Sequence, residues 1–458
     1  MIDFKAEVLK RKDQIISDLQ TLLRINSELT SFDPNRIGMP FGEGNKEALD
    51  WFLNLGKQDG FKVENVDGYA GHIEYGSSSE YIGMIGHLDV VPAGNDWIYP
   101  PYGAEIHDGK IYARGAEDDK GPTIAAYYAL KILKELNIPL SKRIKLILGI
   151  DEESGWRCVT HYFKKYPQQP VAGFIPDADF PLIYAEKGIT RTVIKGLIND
   201  NRIIAITGGF RDNMVPDTAS VTLVDNGNFD EGWINYLEQN QLIGEIVRNS
   251  DSITLSVDGI SAHGSTPEIG KNALDLLFKG LKTLNITNDL IDFINKYLVD
   301  DYLGKKLGIN YHDQEMGSLT VNFGLIKTAS NEFTIQLNLR YPNGVDYQAD
   351  VLDKITPILS DFNYHVTTEH HQKLLYQSPK SELIQTLLGV YRKYTNDFRE
   401  PLTTGGGTFA RAAQNLVAFG PHLPGRPNTI HQKNEFIEID DLLLATTIYC
   451  ESLYELAK

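Results

Sequence analysis

A two-domain α/β protein, with a mixed-sheet α/β domain interrupted by an α+β insertion, is predicted by three observations. Apolar runs close on His or carboxylate residues at 81 to 90 (YIGMIGHLDV), 144 to 155 (IKLILGIDEESG) and 173 to 181 (GFIPDADFP). A helical pattern at 121 to 136 (GPTIAAYYALKILKEL) lies between the first two, supplying the connection expected between strands of an α/β layer. From about 187 to 380 alternating segments take over, in TRTVIKGL, SITLSVDG, SLTVNFGLIKT and FTIQLNLRYP, separated by helical candidates near 270 to 284 and 287 to 303.

Each element then falls into place along the chain. Residues 4 to 25 carry apolar positions at helical spacing, a second helix is expected over 46 to 56, and the stretch SFDPNRIGMPFGEG between them reads as a loop. After 380 the α/β pattern resumes, with helices expected at 381 to 394 and 440 to 456. The expected division is therefore 1 to 186 and 381 to 458 for the α/β domain, with 187 to 380 inserted. At 458 residues the chain exceeds the usual size of one domain.

Composition excludes several classes. Hydrophobic residues at 42% and charged residues at 23% place the chain among ordinary globular proteins rather than disordered ones. A formal net charge of -17 disfavours a nucleic-acid partner, whose phosphates would be repelled. No apolar run reaches bilayer length, and the start MIDFKAEVLKRKDQIISDL lacks the apolar core of an export signal, so a cytoplasmic, non-membrane protein is expected. Cys158 and Cys450 are far apart and read as reduced buried thiols.

The chemistry gathers at the ends of the apolar runs, where α/β proteins place ligands. In GHLDVVPAG, His87 and Asp89 stand two apart on a strand end, so one can ligate a metal while the other orients its imidazole. Asp118 and Asp119 in ARGAEDDKGP lie between a glycine turn and a helix start; a simple N-cap is the alternative. Glu152 and Glu153 follow an apolar strand directly, against the alternative of solvated loop acids, and Asp177 and Asp179 sit in a possible Asx-turn before Pro181. Imidazoles with several carboxylates are what borderline or hard divalent ions require. A bridging carboxylate would let two such ions share a water about 3.5 to 4 Å apart, with a non-ligating Glu left to take the proton.

The ordered series GHLDVVPAG, ARGAEDDKGPTIAAYYA, GIDEESGW, PDADFP, GFRDNMVP, SAHGSTPEIGKNA, LTTGGGTFAR and PNTIHQKNE resembles the M20 peptidases, the co-catalytic zinc aminoacylase and carboxypeptidase-like superfamily. Within it the likeness is to the bacterial PepV-type, carnosinase-like dipeptidases, and it runs from about residue 15 onward. The resemblance implies that His87 and Asp177 hold one metal, that Glu153 and His431 hold the other, and that Asp118 bridges them. It makes Glu152 the general base, has Asp89 orient His87, and places Asp119 in a cis peptide. Two divalent ions are implied, zinc foremost, with manganese or cobalt as alternatives.

From the insertion the resemblance draws His263, in a Gly/Pro loop, as a donor to the developing oxyanion, and Asn213 of GFRDNMVP near the scissile group. Arg340 falls on the polar face of FTIQLNLRYP, suited to a bidentate grip on a carboxylate. The glycine run in TTGGGTFAR can form a carboxylate nest from Gly406, Gly407 and Thr408; lacking GxxxxGK[ST], it is no phosphate loop. The implied activity is hydrolysis of short unblocked peptides, mainly dipeptides, by a monomer whose insertion acts as a lid. The rivals are an N-acyl amino acid deacylase with the same metals and a non-catalytic metal-binding protein.

Overall fold

The apolar runs ahead of the acidic motifs become the central strands of a mixed sheet. In the computed structural model, which describes residues 2–225 and 229–458, the strand Tyr81–His87 is buried at every position. It lies between Arg143–Gly149 and Ala172–Ile175, parallel to both. Leu416–Ala418 extends the parallel set beyond Ala172–Ile175, while Ala70–Tyr75 and Lys62–Val66 add antiparallel strands on the other side. Cover on both faces is why the central strands read as unbroken apolar runs instead of alternation.

One face is closed by the helix Lys120–Glu135, whose residues from Lys120 to Leu133 are all buried. It packs between the sheet and the helix Ile439–Ala457, so it is apolar nearly all round. Burying each of its large apolar side chains contributes about 1.5–3 kcal/mol before conformational entropy is charged. In the strand Ala70–Tyr75 the pleat sends alternate residues to opposite faces. Ile73 meets the helix Glu43–Gln58 at Gly56, where an added Cβ would lie 2.8 Å from its Cδ1. His72 turns the other way, to Tyr162 of the helix Arg157–Lys165.

The chain divides into two compact units. The first runs to Ala185 and resumes over Tyr376–Leu402 and Gly407–Lys458, while the second is Glu186–Leu375 with Thr403–Gly406. The second unit is built on an eight-stranded antiparallel sheet. Within it Thr320–Ala329, Glu332–Tyr341 and Gly188–Leu197 are neighbours, in that order. Helices Asp230–Gln239, Ala273–Thr283, Asp289–Tyr297 and Asp353–Ser360 share one core with it, including Trp233, Phe278, Phe323 and Leu337. The architecture is thus a mixed-sheet α/β unit with an α+β unit inserted in its sequence. No described helix is long and apolar enough to cross a membrane.

Several elements differ from the sequence expectation. The helix expected over 4 to 25 is two, Phe4–Leu9 and Lys12–Leu23. At the break, the Arg11 amide turns to the Val8 carbonyl and the Arg11 guanidinium takes the Glu7 carbonyl at 2.7 Å. The helix expected over 287 to 303 stops at Tyr297; beyond it the Asp301 carboxylate accepts the amides of Lys305 and Lys306 and turns the chain. The strands Ile203–Gly208, Thr218–Val224 and His365–Gln372 were not anticipated. The last is an edge strand exposed at most positions, with the polar composition such edges carry.

His72 supplies a test of the first unit's packing. It is 2% exposed and shares a hydrogen bond of 3.2 Å with Tyr162 Oη. Burial first, and Lys145 second, push its imidazole down from 6.5 to about 4. The unfolded chain therefore takes up this proton first, so the contribution is complete above pH 6.5 and is lost as pH falls toward about 4. The loss is on the order of 3 kcal/mol. Urea unfolding at pH 7 and about pH 5 should show a smaller loss of stability in His72→Gln than in the parent; equal losses would rule the histidine out.

Candidate metal centre

Three parallel strands deliver the centre at their carboxyl ends. His87 is the last residue of its strand and lies opposite Gly149, and the amide of Leu88 donates to the Gly149 carbonyl at 3.0 Å. The turn after Gly149 thus runs beside His87. There Asp89 clamps it, its Oδ1 accepting the Glu152 amide at 3.0 Å and its Oδ2 the Glu153 amide at 3.1 Å. The sequence reading had Asp89 orient His87. The structure places its carbonyl oxygen 2.9 Å from His87 Nδ1 and its carboxylate farther away, at 3.6 Å. A carbonyl can only accept, which fixes the proton on Nδ1 and turns Nε2 toward the carboxylates.

The surroundings of Asp118 are built from both ends of the chain. Glu435, fully buried, receives the Arg114 guanidinium at 2.6 Å and the amides of Glu117 and Asp118 at 2.9 and 3.2 Å. Asp118 Oδ1 then stands 2.9 Å from His87 Nε2, and Oδ2 stands 2.9 Å from His431 Nε2. Glu153 Oε1 is 2.9 Å from the same His431 nitrogen, and Asp177 Oδ2 is 3.7 Å from His87 Nε2. The Asp118–Asp119 peptide is cis. Asp119 turns inward, where its Oδ2 accepts the His87 amide at 3.0 Å and the Thr123 hydroxyl at 2.9 Å.

These residues fit a divalent pair. His87, Asp118 and Glu153 offer ligand atoms all within 4.8 Å of one another. Buried His87 Nε2 has no hydrogen-bond partner of acceptable geometry despite its carboxylate neighbours. Two imidazoles with three carboxylates form a donor set that zinc, manganese or cobalt accepts. Glu152 lies beside the cluster with its backbone held by Asp89; its side chain makes no hydrogen bond or ion pair with any described residue.

Charge is unevenly shared. Enclosure by the protein, reinforced by Glu153, pushes Glu152 well above the usual carboxylate range. Burial raises Glu153 to about 7, against the pull of His431. Burial also works to raise Asp118, but hydrogen bonds from His431 and His87 outweigh it and hold the carboxyl below its ordinary value. Burial opposes the charged form of His431, yet Asp118 and Glu153 lift it to about 11.

Two supporting residues escaped sequence reasoning. Glu435 ends the PNTIHQKNE motif, and its role shows only once Arg114 is beside it. Lys120 is wholly buried and donates to the carbonyls of Ile25 and Leu22, at the end of the helix Lys12–Leu23, at 2.8 and 3.3 Å. A cation is favoured at that end of a helix. A Lys directly after paired acids, at the start of an apolar helix, was the available signal.

The second unit carries the other expected residues. Asn213 and His263 sit on neighbouring segments: the Gly264 amide donates to the Asn213 carbonyl at 2.7 Å, and Met214 bridges to His263. His263 Nδ1 is 2.6 Å from Ser265 Oγ. Arg340 is 4% exposed, so it is no surface ion-pair residue. Its Nε donates to Asn338 Oδ1 at 2.7 Å and its Nη1 to the Gly405 carbonyl at 2.9 Å. Asn338 is in turn held by Asp212 at 2.9 Å, which pairs with Arg191 at 2.7 Å. In the glycine run, the Gly406 amide donates to Thr404 Oγ1 and Thr408 Oγ1 accepts the Ala410 amide. The chain passes from the second unit to the first between Gly406 and Gly407.

Because His87 and His431 are held above their ordinary values without metal, ligation must displace protons. Calorimetric titration with zinc in buffers of different ionisation enthalpy should show net proton release near pH 7. Affinity should fall by at least about tenfold between pH 8 and pH 6. Binding without proton release would remove the histidines from the ligand set.

Known proteins resemble the chain in sequence and in fold. The model of the Peptidase family M20/M25/M40 matches residues 83–455. The chain is 39% identical to "Putative dipeptidase YtjP" of Bacillus subtilis (strain 168), covering 100% of both chains. Human carnosine dipeptidase 1 shares the fold with a TM-score of 0.63 at 16% identity, over 99% of this chain and 98% of that one. The M20 family metallo-carboxypeptidase Sso-CP2 of Sulfolobus solfataricus does so with a TM-score of 0.60 at 17% identity, over 96% and 98%. With the family model spanning the strand-end motifs and the His431 segment alike, this chain belongs to the M20/M25/M40 peptidases.

Proposed function

We propose that the chain is a metal-dependent dipeptidase that cleaves short unblocked peptides, with Glu152 as general base. The observation that carries this reading is the division of Asp118, whose two oxygens each stand 2.9 Å from a different imidazole. Asp177 lies on the His87 side and Glu153 on the His431 side. Two ions would thus be held by His87 with Asp177 and by His431 with Glu153, sharing Asp118. Zinc is the first choice; manganese and cobalt suit the same donors. When bound, such a pair lowers the pKa of water and polarises a carbonyl.

The chain's own residues do the rest. Glu152 stands beside the cluster with its backbone held by Asp89, and it is assigned to take a proton from water and return it to the leaving amine. Asp89 holds the amides of Glu152 and Glu153 together, keeping base and ligand in fixed relation. His263 is assigned to the oxyanion, Asn213 to the scissile group and Arg340 to the substrate carboxylate. The relative matched over its whole length at 39% identity and named "Putative dipeptidase YtjP" supports this substrate class. A cytoplasmic monomer belongs to the same proposal.

The test is amine release from an unblocked dipeptide, the matching N-acetyl amino acid and a tripeptide, with metal-loaded protein and its Glu152→Ala variant. Dipeptide cleavage should fall about 10²–10⁴-fold in the variant, with metal content unchanged by elemental analysis. Turnover of the acetylated compound alone would make the protein a deacylase.

A further inference from the structure

Beside Arg340 the second unit holds a cavity of about 360 Å³ whose chemistry the proposed mechanism does not use. Antiparallel register sets Thr320 directly opposite Arg340, so both side chains stand on one face of the sheet. The pleat brings Met316, Ser318 and Thr320 to the cavity and turns Leu319 and Val321 away from it. Across from them run Thr403, Thr404 and Gly405, and the Gly405 carbonyl is the acceptor of Arg340 Nη1.

Two buried groups in this wall ask for a ligand. Thr320 is 7% exposed, and its Oγ1 is buried with no hydrogen-bond partner. Lys187 is 9% exposed; its Nζ donates to the Ser318 carbonyl at 2.5 Å, which uses one of three ammonium protons. A buried hydroxyl left without a partner is costly, and the ammonium has protons to spare for a second acceptor. Of the other hydroxyls in the lining, Ser265 is paired with His263, Ser318 with His312 and Thr403 with the Glu315 carbonyl, while Thr404 accepts the Gly406 amide. Glu268 also lines the cavity and its charge favours the Lys187 ammonium; it is exposed, so water screens that attraction.

We infer that this cavity receives the side chain of the peptide's C-terminal residue, and that Lys187 with Thr320 selects side chains ending in a carboxylate or carboxamide. The inference rests on the dipeptidase reading, in which Arg340 holds that residue's α-carboxylate. An acceptor reaching the floor satisfies the ammonium and the hydroxyl together. An apolar side chain would leave the Thr320 hydroxyl unpaired and give the ammonium no acceptor beyond Ser318, the situation in which a site built for hydrogen bonding rejects an analogue most strongly.

The experiment compares kcat/KM for Ala-Ala, Ala-Leu, Ala-Lys, Ala-Gln and Ala-Glu in the parent, Lys187→Met and Thr320→Val. The parent should favour Ala-Glu and Ala-Gln over Ala-Leu by at least about tenfold. Lys187→Met should lose at least about ten times more activity on Ala-Glu than on Ala-Ala, and Thr320→Val should weaken Ala-Gln and Ala-Glu alike. Retained Ala-Ala cleavage shows that the variants fold. A parent preference for Ala-Leu or Ala-Lys, or variants that lower all five substrates equally, would overturn the inference. Should no dipeptide be cleaved, the dipeptidase reading fails by itself. Calorimetry with free L-glutamate and L-leucine then decides the pocket: binding of glutamate alone, lost in Lys187→Met, upholds it, and no glutamate binding ends it.

Discussion

Gathering carboxylates that repel one another, away from water, is the constraint on which this structure turns. Each buried charge costs several kcal/mol unless it is paired and hydrogen-bonded, and the centre assembles Asp89, Asp118, Asp119, Glu153, Asp177 and Glu435 around two imidazoles. The surrounding fold provides their partners one by one. Asp89 takes two backbone amides, Asp119 an amide and a hydroxyl, and Glu435 a guanidinium and two amides. Glu152 alone is given no side-chain partner among the described residues, and it is the group assigned to move a proton.

That provision explains why acids sit at strand ends instead of along strands. A parallel strand ends where its ladder stops, so the residues just beyond have amides to spare. The turn after Arg143–Gly149 spends two of them on Asp89. The helix Lys120–Glu135 begins directly after the paired acids, and its burial ties the Asp118 turn to the core. Packing energy from apolar residues thus holds a site that electrostatics alone would push apart.

The sequence made the centre legible through the ordered series of motifs, since a charged residue after an apolar run can equally be a helix cap or a solvated loop acid. His87, Asp118, Glu153, Asp177 and His431 all lie in that series, and the structure brings the five together. What stayed hidden depends on pairing across distance. Arg114 and Glu435 are 321 residues apart, so neither alone signals a buried pair. The partner of the Asp89 carboxylate is backbone, which has no letter. Lys187 and Thr320 look like ordinary strand residues until register sets Thr320 opposite Arg340. Of the unanticipated strands of the second unit, His365–Gln372 is polar and exposed at most positions, while Thr218–Val224 alternates Ala, Val and Leu with polar residues and carried a readable signal.

The first unit's interruption by the second has a consequence for how the chain reaches this state. The second unit is almost continuous in sequence and can organise as it is synthesised. The first cannot, because the strand Ala172–Ile175 waits for Leu416–Ala418 to arrive from the far side of the insertion. Until then an apolar parallel strand keeps one open edge, the kind of surface that pairs with a neighbouring chain. Arg114 meanwhile lacks its carboxylate. Slow closure and aggregation during synthesis, more than marginal stability of the finished fold, are the risks this architecture carries.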